Sequence, residues 1–301
     1  MKLGFLSNGL VGTLEEKMAF ARAAGFKAIE VACWPVGAAK GADLDVTNFS
    51  PGYWRRLSEE LGVEMTALAY YDNMLHPDLT TRAANQAHLL KVIDAAALLD
   101  IPLVGTYIGK NPFVSIQENF ALFEEIFHKI VHYAKRKNVK IMIENCPMTS
   151  WSPDGLPMTI SYTPELWEEM FRRIDDTNFG LNFDPSHLVW QQIDYLACIA
   201  RFSDRIMHVH AKDLQVNRSL VATAGIYGQK LHRADYRNLG WYTPKIPGRG
   251  EIDWPAVLSL LKQLDYCGMI SVEYGDDLLS GSAEKVKQGM RYVHNYLAPM
   301  I

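Results

Sequence analysis

The chain has 301 residues, is 49% hydrophobic and carries a formal net charge of −4. It has enough apolar material for one large α/β barrel or two ordinary domains, and its slight acidity excludes a general attraction to nucleic acid or acidic membranes. No run of about 18 apolar residues is present to span a bilayer.

The first apolar run, near Leu3–Ser7, passes directly into a charged helical pattern, so it reads as a strand and not as a signal peptide. A helix follows near Leu14–Ala24, with Leu14, Met18 and Ala21 on one face. Then come strand Ala28–Cys33, helix Pro51–Leu61, strand Glu64–Tyr70, helix Thr80–Leu99, strand Leu103–Ile108 and helix Ser115–Lys137. The alternation continues with strand Lys140–Asn145, helix Pro164–Arg173, strand Phe179–Phe183, helix Ile193–Phe202 and strand Ile206–Ala211. Helix Trp254–Leu264, strand Gly268–Tyr274 and helix Ala283–Leu297 complete it.

Thr163-Pro164 and Asp253-Trp254-Pro255 read as helix starts, with a capping oxygen and a proline in the first turn. Gly25 and Gly62 lead from helix ends into the next strands, which is the connection a repeated β/α unit needs. Eight such units predict a (β/α)8 TIM barrel, a single domain over residues 1–301. A doubly wound sheet is the alternative, but it needs fewer strands and a dinucleotide-type glycine turn that Ser7–Thr13 lacks.

Two long segments follow strands five and seven: Pro147–Tyr162 and Asp213–Gly250. Both leave the C-terminal ends of strands, so both are expected over the barrel mouth. The second reads as a long loop of lid length, and its Tyr227, His232, Arg233, Tyr236, Arg237, Trp241 and Tyr242 suit substrate or subunit contact as well as plain solvent exposure. The four cysteines (Cys33, Cys146, Cys198, Cys267) contain no CxxC pair, which predicts reduced, mostly structural thiols in a cytoplasmic protein.

Chemistry concentrates at the ends of the last four strands. Glu144 closes one apolar run and Glu273 another, and a carboxylate there is costly to bury without a cation or a donor. A metal ion or an internal salt bridge would each answer that cost. Asp184 ends its strand, Pro185 stops further ladder pairing and His187 follows from the turn. His208, His210 and Lys212 alternate along one strand and so share a face. His210 is the expected ligand and His208 a packed layer residue, while Lys212 would meet a substrate oxygen or a salt-bridge partner. In a barrel of parallel strands these ends converge on one mouth. Two Glu, one Asp and one His would form a mixed oxygen/nitrogen site for a divalent metal. Trp34, Tyr71, His76 and Tyr107 follow strand ends two to four and are candidate walls of a substrate pocket.

Gly25-Phe26 before Ile29-Glu30-Val31, Ile143-Glu144-Asn145, Phe183-Asp184-Pro185-Ser186-His187, His208-Val209-His210-Ala211-Lys212-Asp213, the stretch Pro247–Trp254 and Val272-Glu273-Tyr274 occur in order along nearly the whole chain. With these pieces the chain resembles the sugar phosphate isomerase/epimerase superfamily, that is, the xylose isomerase-like TIM barrel or AP endonuclease family 2. This group includes hydroxypyruvate isomerases, ketose 3-epimerases, inosose dehydratases and endonuclease IV-type enzymes. The resemblance implies one divalent ion (manganese, magnesium, cobalt or zinc) held by Glu144, Asp184, His210 and Glu273. It implies that Glu144 and Glu273 also act as the acid/base pair, with His187 and Arg249 at the substrate.

The expected activity is therefore isomerisation or epimerisation of a sugar, sugar derivative or small hydroxy-keto acid through an enediolate. A lyase or dehydratase sharing the same first step is the alternative. An endonuclease IV-type hydrolase would need further histidines where the chain offers Tyr70, Tyr71 and Tyr107, and a non-catalytic sugar-binding barrel would predict a damaged ligand set. The implied partner is a small-molecule carbohydrate, with no nucleic acid and no membrane, and self-association into a homo-oligomer is left open. A phosphorylated substrate would need an anion site such as Arg249, Lys245 or loop amides; no P-loop pattern is present, and an unphosphorylated substrate is expected.

Overall fold

The computed structural model describes residues 1–39, 41–226 and 240–301. Its elements in chain order are β1 (Lys2–Leu6), α1 (Leu14–Ala24), β2 (Ala28–Ala32), α2 (Pro51–Leu61), β3 (Glu64–Tyr70), α3 (Leu79–Leu98), β4 (Leu103–Thr106), α4 (Ile116–Lys135), β5 (Lys140–Glu144) and α5 (Pro164–Arg173). They continue with β6 (Phe179–Phe183), α6 (Ser186–Val189), α7 (Tyr195–Arg201), β7 (Ile206–Ala211), β8 (Asp213–Val216), α8 (Arg218–Ala224), β9 (Tyr242–Lys245), α9 (Trp254–Gln263), β10 (Met269–Val272) and α10 (Ala283–Leu297). The eight expected strands form a closed barrel in the order β1-β10-β7-β6-β5-β4-β3-β2. Every pair is parallel, and β1 closes the ring on β10 through Leu3 opposite Ile270 and Phe5 opposite Val272. Closure rules out the open doubly wound sheet.

The strands are apolar runs because both of their faces are covered. All five residues of β2 and of β6 are buried. Helices pack outside, for example Phe123 and Phe127 of α4 on Phe179 of β6, with ring centroids 5.9 and 6.1 Å apart. Burying a side chain of that size stabilises by about 1.5–3 kcal/mol. Truncating fully buried Phe123 to Ala would cost about 3–5 kcal/mol once the cavity is included.

Local sequence starts and stops these helices. Thr13 and Glu16 form a reciprocal capping box before α1, and Ser115 and Glu118 do the same before α4. Gly25 ends α1 at φ 94°, a left-handed conformation that a Cβ disfavours. These devices set where each strand begins, and parallel pairing then brings all eight C-terminal ends to one mouth.

The segment after β7 differs from the expected loop. Asp213–Val216 and Tyr242–Lys245 pair as an antiparallel ribbon, with Asp213 opposite Lys245 and Val216 opposite Tyr242. Helix α8 lies between them, and Trp190, Leu214 and Trp241 make a small satellite core beneath. Strands of four residues, one of them containing Pro244, are too short to show a periodic signal. Tyr227, His232, Arg233, Tyr236 and Arg237 of the expected lid lie outside the described residues. The segment after β5 holds one 3-10 turn, Thr149–Trp151. Among the described residues, no helix is long and apolar enough to cross a membrane.

Candidate metal centre

Glu144 is the last residue of β5, and Asp184 and Glu273 directly follow β6 and β10. His210 is the penultimate residue of β7. One ligand atom from each of the four lies within 4.8 Å of every other. Asp184 and His210 are fully buried and Glu144 is 2% exposed. The ends of β5 and β6 are stapled together: Asp184 N donates to Asn145 Oδ1 at 2.7 Å and Asn145 Nδ2 returns a bond to Asp184 O at 2.9 Å.

The four residues share a pattern that suits a cation. Asp184 accepts the Ser186 amide on Oδ1 and leaves Oδ2 without a partner. Glu273 accepts Lys212 Nζ on Oε1 at 2.5 Å and leaves Oε2 without one. His210 engages the protein through Nε2 and leaves Nδ1 unpartnered, as is Oε1 of Glu144. His210 Nδ1 sits 3.2 Å from Glu273 Oε2 and 3.7 Å from Glu144 Oε1. Buried polar atoms are nearly always satisfied, so unsatisfied ligand atoms aimed at one point fit an ion between them. Three carboxylates and one imidazole match the donor set of manganese, magnesium, cobalt or zinc.

Without a cation, protons balance the charge. Burial opposes charge on His210, yet the Glu30 and Glu144 carboxylates beside it hold the imidazole well above its ordinary range. Burial likewise opposes a charged Lys212, and Glu273 with Asp184 and Glu144 outweighs that and raises it. Glu144 would be raised by burial, but His210 and His187 bring it well below the usual carboxylate range.

Sequence reasoning missed the residue that aims His210. Glu30, in the middle of β2 and fully buried, accepts His210 Nε2 on Oε2 at 2.9 Å, Ser271 Oγ on the same oxygen at 2.8 Å and Tyr71 OH on Oε1 at 2.7 Å. Burial pushes its carboxyl up, while His210 and His208 pull it down to about 2. An ionised Glu30 holds the proton on Nε2 and so turns the lone pair of Nδ1 toward the carboxylates. Its signal was a lone acid inside Ala28-Ile29-Glu30-Val31-Ala32, overlooked because it is not at a strand end. His208 is packed in the same layer, its Nδ1 against Asn182 Oδ1 at 2.9 Å. Burial lowers its pKa to about 4.

Above the cluster is a cavity of about 340 Å³ whose lining includes Glu144, Glu273, His187, Lys212, Trp34 and Tyr107. His187 Nε2 lies 3.2 Å from Asp184 Oδ2 and 3.4 Å from Glu144 Oε1. Tyr71, Trp190, Tyr242 and Cys146 also line this space. Two expected substrate residues stand elsewhere. Arg249 pairs with buried Asp276 at 3.1 Å, because the Gly248 turn (φ 86°) directs it to the loop after β10. His76 accepts the Asp78 amide and faces a neighbouring cavity with Trp151 and Asp72. The ring of Trp151 packs edge-on to Tyr107 at 5.5 Å.

Comparison with known proteins agrees with this architecture. The uncharacterized protein YfiH of Bacillus subtilis (strain 168) is 26% identical over 306 residues, covering 94% of this chain and 95% of that one. An inosose dehydratase of Clostridium tetani (strain Massachusetts / E88) is 27% identical over 150 residues, or 50% of this chain and 45% of that one. A crystal structure of D-allulose 3-epimerase from Methylomonas sp. superposes with a TM-score of 0.68 at 17% identity, covering 100% of this chain and 98% of that one, a likeness of fold alone. The family described as xylose isomerase-like TIM barrel matches residues 18–296, and the chain belongs to that family.

Proposed function

We propose that the chain is a divalent-metal-dependent isomerase or epimerase that moves a proton on the carbon beside a carbonyl of an unphosphorylated sugar, sugar derivative or small hydroxy-keto acid. The carrying observation is that Glu144 and Glu273 line one cavity while their unpartnered oxygens face Asp184 and His210. Those four residues would hold the ion. When bound, it would supply Lewis-acid stabilisation for the charge that builds on a carbonyl oxygen as the adjacent carbon loses its proton.

The remaining chemistry belongs to the chain. Glu144 and Glu273 come from strands separated by β7 and β6, so they approach a substrate from different sides. One carboxylate removes the proton and the other returns one, which permits inversion at that carbon. His187 Nε2 is a donor beside Glu144, and Lys212 is an ammonium held against Glu273. Trp34, Tyr71 and Tyr107 exclude water and cover the apolar face of a carbon chain. The lack of phosphate is supported by Lys245 and Arg249, each paired with an aspartate at 2.6 and 3.1 Å.

The test is proton exchange. Free keto-sugars are incubated with metal-loaded protein in deuterium oxide and followed by NMR. Deuterium at the carbon beside the carbonyl, absent with Glu144→Gln and Glu273→Gln, supports the reading; a panel without exchange overturns it. A lyase is the second reading, favoured by Lys212: its ammonium lines the cavity beside Glu273, where it can donate a hydrogen bond to a departing hydroxyl. The similarity to inosose dehydratases supports it too. Loss of water from the substrate in the same spectra would identify that outcome.

A further inference from the structure

We propose that Glu144, Cys146 and His187 form a second metal site, selective for a thiophilic divalent ion such as zinc, in the wall of the cavity above the first cluster. One ligand atom from each lies within 4.8 Å of the other two. All three are buried, at 2%, 8% and 6% exposure, and all three line the cavity. Glu144 Oε1 and His187 Nε2 stand 3.4 Å apart, and neither makes a well-aligned hydrogen bond, although Asp184 Oδ2 also lies 3.2 Å from His187 Nε2. Ligand atoms around a tetrahedral zinc lie about 3.3–3.8 Å apart for bonds of about 2.0–2.3 Å. The oxygen–nitrogen pair already has that spacing, and the sulfur, within 4.8 Å of both, needs a closing movement of at most about 1 Å.

The thiol is held in place by the loop that follows β5. Cys146 Sγ is 3.4 Å from Met148 Sδ and accepts the Met148 amide at 3.4 Å. Met148 adopts φ 48° and ψ 44°, a left-handed conformation that is unfavourable for a residue with a side chain. That turn brings the amide and sulfur of Met148 onto the Cys146 thiol.

Donor chemistry separates the two sites. The first cluster has three carboxylates and one imidazole and suits hard ions, whereas a thiol, an imidazole and one carboxylate suit zinc. Glu144 belongs to both and would bridge them. On binding, the S–H bond of Cys146 and the Nε2–H bond of His187 break, sulfur–metal and nitrogen–metal bonds form, and the displaced protons leave to solvent, with no change of oxidation state. That such an ion would compete with substrate for the cavity rests on the function proposed above; the site itself rests only on its own geometry.

Cobalt reports the site directly, because thiolate ligation gives a charge-transfer band that carboxylate and imidazole do not. The full chain is stripped with chelator and titrated with Co²⁺ as wild type, Cys146→Ser and Asp184→Asn. The expected result is about two equivalents bound and a thiolate band in wild type. Cys146→Ser would lose the band and keep about one equivalent, and Asp184→Asn would keep the band. A wild-type protein without the band overturns the proposal, as does a band that survives Cys146→Ser or disappears in Asp184→Asn. A single equivalent with a band that Asp184→Asn retains supports the thiol site and sinks the first cluster instead.

Discussion

Replacing Glu30 with Gln tests how the centre is aimed. The substitution preserves shape but removes the charge that holds the proton on His210 Nε2. Glu30 accepts three hydrogen bonds, from His210, Ser271 and Tyr71. Gln offers one acceptor oxygen and must present its amide group to one side. If the amide faces Tyr71, whose hydroxyl already accepts Asn182 Nδ2 at 2.7 Å, that hydroxyl loses its acceptor. If the amide faces His210, the imidazole is driven to the tautomer whose Nδ1 carries the proton and cannot ligate. Loss of such an outer carboxylate weakens metal binding by about 10–100-fold, or about 1.4–2.7 kcal/mol. Calorimetric titration of stripped wild type and Glu30→Gln with Mn²⁺ measures this, with circular dichroism confirming that both are folded. Equal affinity in the two proteins would refute the orienting role. A wild type that binds no ion would refute the centre itself.

Glu144→Gln and Glu273→Gln should each lower proton exchange by about 10²–10⁴-fold while the barrel stays folded, as read by NMR and circular dichroism. Gly109→Ala should destabilise, because Gly109 has φ 83° and an added Cβ would lie 1.8 Å from Asn73 Oδ1, which accepts the Leu75 and Lys110 amides. The backbone alone accounts for about 1–3 kcal/mol, visible as a lower thermal midpoint; an unchanged midpoint would contradict it. The side-chain bond from Arg172, with Arg173, holds Glu169 at about 2, below its ordinary 4.5. Because the folded pKa is the lower one, its stabilisation is complete above pH 4.5 and is lost as pH falls through about 2. The group is 30% exposed, so the stability gap between wild type and Glu169→Gln should be about 1 kcal/mol at neutral pH and close in acid during urea titrations.

The barrel was legible because its rules are local. Glycine stops such as Gly25, capping boxes and apolar runs fix element after element, and α1, α2, β3, α5, β6, β7 and α10 have the bounds read from the sequence. The convergence of Glu144, Asp184, His210 and Glu273 followed from strand polarity, since every parallel strand ends at the same mouth. What stayed hidden depends on contacts distant in the chain. Glu30 meets a histidine 180 positions away, and nothing in its own neighbours announces that. Arg249 was placed at the substrate by its motif, but Asp276, in another loop, captures it. The β8–β9 ribbon joins strands separated by 25 residues, beyond the reach of any local periodicity.

That ribbon has a consequence for how the chain tolerates change. Asp213 accepts bonds from Leu214 N, Ile252 N and Trp254 Nε1, so the base of the ribbon is moored to α9. Both ends of the excursion between β8 and β9 are thereby clamped side by side before the chain resumes its eighth barrel unit. Doubling the length of a loop whose ends are fixed adds only about 0.6 kcal/mol of closure entropy. Added length there costs the barrel little, whereas Val221, Ile226 and Trp241 of the same excursion belong to the satellite core, and Tyr242, stacked on Trp190 at 6.2 Å, stays beside the cavity. The ribbon works as a socket: its own pairing holds the two ends of the excursion together whatever length of chain runs between them.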